Sequence, residues 1–99
     1  MEIVKTLSED KIILSIKGKL SAAAVQEFNT AVEDALGESQ DLVLDFKDVS
    51  YMASTGLRVL VAAQKKRHAS GGSLVLSNVR KEVMEILEVT GLDEVFDIR

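Results

Sequence analysis

Apolar and polar positions alternate along two stretches near the start of the chain. Residues 2–7 and 11–17 are rich in β-forming side chains and are separated by Ser8-Glu9-Asp10, a short polar turn, which predicts an antiparallel hairpin. In the second stretch Ile12, Leu14 and Ile16 share one face, and Lys11, Ser15 and Lys17 share the other with Ile13, so one face is buried and one is largely wet. After Gly18-Lys19-Leu20 the period changes. Val25, Phe28, Val32 and Leu36 form a helical stripe over residues 22–36, with Ser21 as the expected N-cap and Gly37 as the expected residue beyond the helix.

The run 42–46 has the continuous apolar character of a central strand, and residues 47–53 read as a connecting segment. A second helix is expected over 54–69, stopped by Ser70-Gly71-Gly72. Leu74-Val75-Leu76 follows as a strand. Asn78 is placed to cap a third helix carrying Val79, Val83, Ile86 and Leu87, with Gly91 at its end and a short final strand over 95–98. The order is β-β-α-β-α-β-α-β. Strands separated by single helices imply parallel βαβ crossovers, and the hairpin adds an antiparallel pair, so the fold class is α/β: a mixed sheet with packed helices. No repeat, linker or low-complexity tract interrupts residues 1–99, which read as one domain.

Composition narrows the function classes. An apolar fraction of 46% suits a globular protein, and 12 basic against 16 acidic residues leave a net charge of −4, which disfavours a nucleic-acid partner. The aromatics Phe28, Phe46, Tyr51 and Phe96 are too scattered for base stacking. With no cysteine there is no disulfide framework and no thiolate chemistry, and with one histidine, His68, no His-rich metal site. Neither a leader pattern nor a long apolar run is present, so no membrane partner and a cytoplasmic location are expected.

Catalytic vocabulary is equally thin. Ser54 and His68 stand fourteen residues apart on one predicted helix, a rise of roughly 21 Å, far beyond the reach of a nucleophile and its base. Near the end of that helix, His68 complements the helix dipole. Asp45 and Asp48 flank the end of a strand, but two carboxylates without further ligands suit turn and capping roles better than a cation site. Neither Gly56 nor Gly71-Gly72 belongs to a phosphate-cradling glycine pattern. No cofactor and no enzymatic activity are expected.

What remains is the junction from Val49 to Leu57, which puts two hydroxyls, Ser54 and Thr55, at the start of a helix, where free N–H groups and the positive dipole end collect. At about 100° per residue, Leu57, Leu60, Val61 and Gln64 form the core stripe. Ser54, Arg58 and Lys65 lie together on an exposed face, flanked by Ala62, Thr55, Lys66 and Val59. Capping alone explains one hydroxyl. A phosphoryl group on Ser54 would add about −1.5 to −2 charges at a favourable helix start, with Arg58 one turn along, and the fold would tolerate it. A partner packed over Ser54, Val59 and Ala62 would have to accept a hydrated dianion in its interface. Capping and switching both remain open on these residues.

The stretch from Leu44 to Leu57, with its Ser54-Thr55-Gly56-Leu57 motif after Tyr51-Met52-Ala53, and Gly18-Lys19-Leu20 before the first helix, resembles the STAS-domain family of bacterial anti-sigma factor antagonists. The likeness covers essentially the whole chain. It implies a STAS-like fold and a partner-switching role. The unphosphorylated antagonist binds an anti-sigma factor that is also a serine kinase, and so frees the sigma factor; phosphorylation breaks the complex and a protein phosphatase restores it. Carried over, the phosphoacceptor is Ser54, with Thr55 as the alternative, and the expected partner-binding set is Ser21, Met52, Ala53, Ser54, Thr55, Gly56, Arg58, Val59 and Ala62. Gly56 would let a partner approach the helix start, and Leu57 would anchor the helix. Two positions depart from the family pattern: Ala53 and Ser21 stand where many members carry aspartate. These departures keep a second reading in play, a non-phosphorylated STAS subunit of a larger signalling or lipid-transport assembly.

Overall fold

The computed structural model describes residues 1–99. Strands β1 (Glu2–Ser8) and β2 (Lys11–Leu20) form the hairpin, with Glu9 in the left-handed region at its turn. A 3-10 turn at Ala22–Ala24 leads into α1 (Val25–Glu38), followed by β3 (Asp41–Met52), α2 (Ser54–Ser70), β4 (Ser73–Ser77), α3 (Lys81–Val89), a second 3-10 turn at Leu92–Glu94, and β5 (Asp97–Ile98). The sheet order is β1-β2-β3-β4-β5, antiparallel only between β1 and β2. Each parallel crossover joins neighbouring strands, and because such crossovers share one hand, α1, α2 and α3 all lie on the same face of the sheet. The mixed α/β architecture is the one the apolar pattern predicts.

The core forms between that face and the helices. Ile12, Leu14 and Ile16 of β2, Leu42, Leu44 and Phe46 of β3 and Leu74 and Leu76 of β4 are buried against Phe28, Val32, Leu60, Val83 and Leu87. The alternate positions Ile13, Ser15, Val43, Asp45, Val75 and Ser77 point to the helix-free face and are only half-buried.

Several boundaries move for local reasons. The expected connecting segment 47–53 is mostly strand, since β3 continues to Met52. Two irregularities hide it: Ser15 and Lys17 pair with Asp45 and Asp48, and Gly18 and Lys19 pair with Val49 and Tyr51, so β3 twice inserts an extra residue. Its buried positions change accordingly from every second residue (Leu42, Leu44, Phe46) to every third (Val49, Met52). Gly37 does not end α1 but sits in its last turn, and the chain leaves the helix at Ser39, whose hydroxyl donates to the Asp10 carbonyl at 2.6 Å. Asn78 does not cap α3. It takes a left-handed conformation, φ 54°, its side-chain amide donates to Asp45 Oδ1 at 3.1 Å, and Arg80 becomes the N-cap residue. Gly71 ends α2 as expected, in the left-handed conformation that glycine adopts without cost.

Candidate functional site

In parallel sheets the helices begin at the carboxyl ends of the strands, so the 3-10 turn before α1, the start of α2 and the start of α3 gather at one edge of this sheet. The strand order has no reversal and so no switch-point crevice there; the edge is built from helix starts. Ser54 is the first residue of α2 on that edge.

The local geometry is set by the ends of β2 and β3. Leu20 pairs with Met52, and the Ala53 N–H donates to the Leu20 carbonyl at 2.9 Å, so the β2–β3 ladder continues to the residue before the helix. Ala53 then turns the chain with an extended backbone, φ −71° and ψ 156°, and its carbonyl accepts from the Gly56 N–H at 2.9 Å and the Leu57 N–H at 3.3 Å. No side chain caps this helix start. The alanine has no acceptor to offer the N–H groups of the first turn, which an Asp or Ser in its place would cover.

The site residues divide by burial. Ser54, Arg58 and Ala62 are exposed on one face of α2, as the spacing predicts, and Ala53 and Ser21 are half-buried beside them. Ser21 precedes the 3-10 turn, to which it contributes its carbonyl, accepting from the Ala24 N–H at 3.0 Å, and not its hydroxyl. None of the ion pairs in the structure engages Arg58 or Lys65, so the exposed face carries two free cations.

Three expectations change. Met52 is 2% exposed and belongs to the core, so it supports the site from below and offers a partner no surface. Gly56 is buried too: a Cβ there would stand 3.1 Å from both Leu20 Cδ2 and Met52 Cγ, so the glycine serves the close approach of α2 to the strand ends, not of a partner to α2. Val59 is half-buried and packs against the core, leaving Ala62 as the small apolar side chain on the outer face. The buried arc of α2 is Gly56, Leu57, Leu60, Ala63 and Arg67, turned toward Ala63 relative to the expected stripe, with Val61 and Gln64 at its border.

The two hydroxyls differ sharply. Ser54 is exposed, whereas Thr55 is half-buried and its Oγ1 is shielded from solvent with no hydrogen-bond partner. Sequence reasoning passed over Leu20, whose burial fixes the depth of Gly56, and Tyr51, which is 48% exposed beside Lys19 on the same edge. An aromatic next to a buried Met on a strand was the available signal for Tyr51.

Comparison with known proteins agrees with this geometry. The model of the STAS domain matches residues 2–99. The anti-sigma-B factor antagonist of Bacillus subtilis strain 168 is 33% identical over 91 residues, covering 92% of this chain and 84% of the relative. A Thermotoga maritima crystal structure assigned provisionally as an anti-sigma factor antagonist superposes with a TM-score of 0.90 at 26% identity, covering 97% of this chain and 84% of the other. SpoIIAA, an anti-sigma factor antagonist and Bacillus cell fate determinant, shares the fold at 17% identity, with TM-scores of 0.83 unphosphorylated and 0.76 phosphorylated, over 99% of this chain and 88% and 91% of the two SpoIIAA chains. The chain belongs to the STAS-domain family of anti-sigma factor antagonists. No helix is long and apolar enough to cross a membrane.

Proposed function

We infer that the chain is an anti-sigma factor antagonist that captures an anti-sigma serine kinase on the outer face of α2 and is released when that kinase phosphorylates Ser54. A protein phosphatase would reset it. The observation that carries this reading is the sorting of the hydroxyl pair: Ser54 is exposed at an uncapped helix start, and the Thr55 hydroxyl is not accessible. A phosphoryl group on Ser54 would meet free N–H groups of the first turn and the Arg58 guanidinium one turn along, so the domain gains and only the interface loses. The contact surface consistent with burial comprises Ser21, Ala53, Ser54, Arg58 and Ala62, with Tyr51 at its margin.

Capture of the kinase from host lysate by unmodified protein, followed by ATP and intact-mass measurement, tests the reading. The expected result is one added phosphoryl group on Ser54, none on Ser54→Ala, and loss of kinase capture by Ser54→Asp. Capture that Ser54→Asp leaves intact, with no added mass, would sink it. Ala53 and Ser21, the two departures from the family pattern that the resemblance implies, favour as second reading a STAS subunit that binds without being phosphorylated in a larger signalling or lipid-transport assembly, and that same pair of results would select it.

A further inference from the structure

The helix layer does not cover the whole sheet. Strands lie about 4.8 Å apart and packed helices 8–10 Å apart, so one helix covers about two strands. Helix α1 packs on β2 and β3, and the edge strand β1 has no helix above it. On the helix side of β1, Ile3, Lys5 and Leu7 pair with Ile16, Leu14 and Ile12, so the buried face of β2 continues onto a strand that nothing covers. Ile3 is half-buried and Leu7 is 70% exposed. Beside Ile3 an open groove of about 700 Å³ lies between β1 and α1; Ile3 and Lys5 line it from the sheet, above the buried Leu14, while Ala23 and Ala31 line it from the helix side, and the Lys5–Glu38 ion pair joins its two sides.

The far wall of the groove is acidic. Glu27, Asp34 and Glu38 line it from one face of α1, and of these only Glu38 has a cationic partner, Lys5. Helix α1, Val25–Glu38, corresponds to roughly 21 Å, the length of about 14 residues.

We propose that this groove is a docking site for an amphipathic helix of a partner protein, whose apolar stripe covers Ile3 and Ala31 and whose flanking Lys or Arg residues pair with Glu27 and Asp34. It is the helix-in-groove mode of recognition, with the groove's dimensions set by the missing helix over β1. Charge complementarity selects the occupant: an acidic wall over an apolar floor rejects an acidic helix by repulsion and a purely polar one by leaving the floor wet. A second copy of the chain is a poor fit. The cationic face of its own α2 carries Arg58 and Lys65 with only Ala62 between them, too little apolar surface to fill the floor. The proposal stands apart from Ser54, which lies on α2.

Titration of the isotope-labelled full chain with a synthetic amphipathic peptide of about 15 residues, Leu and Ile on one stripe and Lys on both flanks, is followed by NMR. Saturable shifts confined to β1 and the outer face of α1 are expected. Affinity should fall at least about tenfold in Glu27→Lys/Asp34→Lys, whose exposed positions leave the fold intact, and in Ala31→Trp, which fills the floor; Ser54→Asp should bind as the unmodified chain does. Equal binding of a peptide with Glu flanks, shifts centred on the start of α2, or self-association of the chain that occludes the groove would each overturn the proposal. Failure here with Ser54-dependent kinase capture intact would leave the proposed switch standing.

Discussion

Ser54 and Thr55 are adjacent, both carry a hydroxyl, and their environments oppose each other. Thr55 Oγ1 is buried without a partner, and an unpaired buried hydroxyl costs on the order of 1–3 kcal/mol. Thr55→Val, which keeps the shape and removes the orphan, should therefore be neutral or raise stability by about 1 kcal/mol in denaturant unfolding, and should leave phosphorylation of the chain unchanged. Loss of phosphorylation in that variant would mean the acceptor has been misassigned. Gly56 sets the opposite limit. A Cβ already stands 3.1 Å from Leu20 and Met52, so Gly56→Val should overpack the strand ends and cost about 1–3 kcal/mol, read as a lower denaturant midpoint at unchanged slope. Helical spacing alone places Ser54 outward and Leu57 inward. It does not reveal that Thr55 is shielded or that Gly56 touches β2, because both are tertiary facts, the second set by Leu20 and Met52.

At the scale of elements, α2 begins with an alanine in the conformation that N-cap residues adopt and without the side chain that makes a cap. Ala53→Asp should stabilise the fold by about 1 kcal/mol, measured by thermal or denaturant unfolding. The same carboxylate would compete with a phosphoryl group for the first-turn N–H groups. Phosphorylated protein should accordingly gain more stability from its phosphate with Ala53 present than in Ala53→Asp. The hairpin, α2 and its glycine stop were legible because their periods run unbroken. The second half of β3 was not, since two inserted residues shift its buried positions from every second to every third residue, and a strand read at period two ends at Phe46. Asn78 misled for a related reason: the residue type favours both helix caps and left-handed turns, and only the contact with Asp45 decides between them.

Across the whole molecule, one charged side chain is buried. Arg67, near the end of α2, sends its guanidinium to the Ser39 carbonyl in the loop between α1 and β3, while its Nε lacks a partner. Burial pushes its pKa below the ordinary value and the Asp41 carboxylate pulls it partly back. A cation with so high an ordinary pKa stays protonated throughout the working range, so this burial creates no pH window for stability. Its stem also packs beside Gly72, where a Cβ would collide with the Gln40 carbonyl. Arg67→Ala should cost about 2–4 kcal/mol through the lost stem packing and the stranded Ser39 carbonyl. Arg67→Met, which keeps the stem and removes the charge, should cost less, and equal losses would show that the hydrogen bond alone matters. The overall architecture was legible because sequential strands pair with their neighbours. The groove over β1 was not, because it is a position without a helix and exists only once β1 is known to be an edge.

The exposed serine sits on the first turn of a helix whose next residues are locked against two strand ends, and that placement constrains any enzyme that modifies it. An enzyme that threads its substrate as an extended segment cannot reach a hydroxyl held this way. A free peptide spanning residues 48–62 would carry the same letters and should be a poor substrate, and so should the unfolded chain. In the proposed switch the chemical mark thus doubles as a certificate of folding: only a chain that has already built its core can be written on, and a damaged copy drops out of the signal without needing to be recognised as damaged.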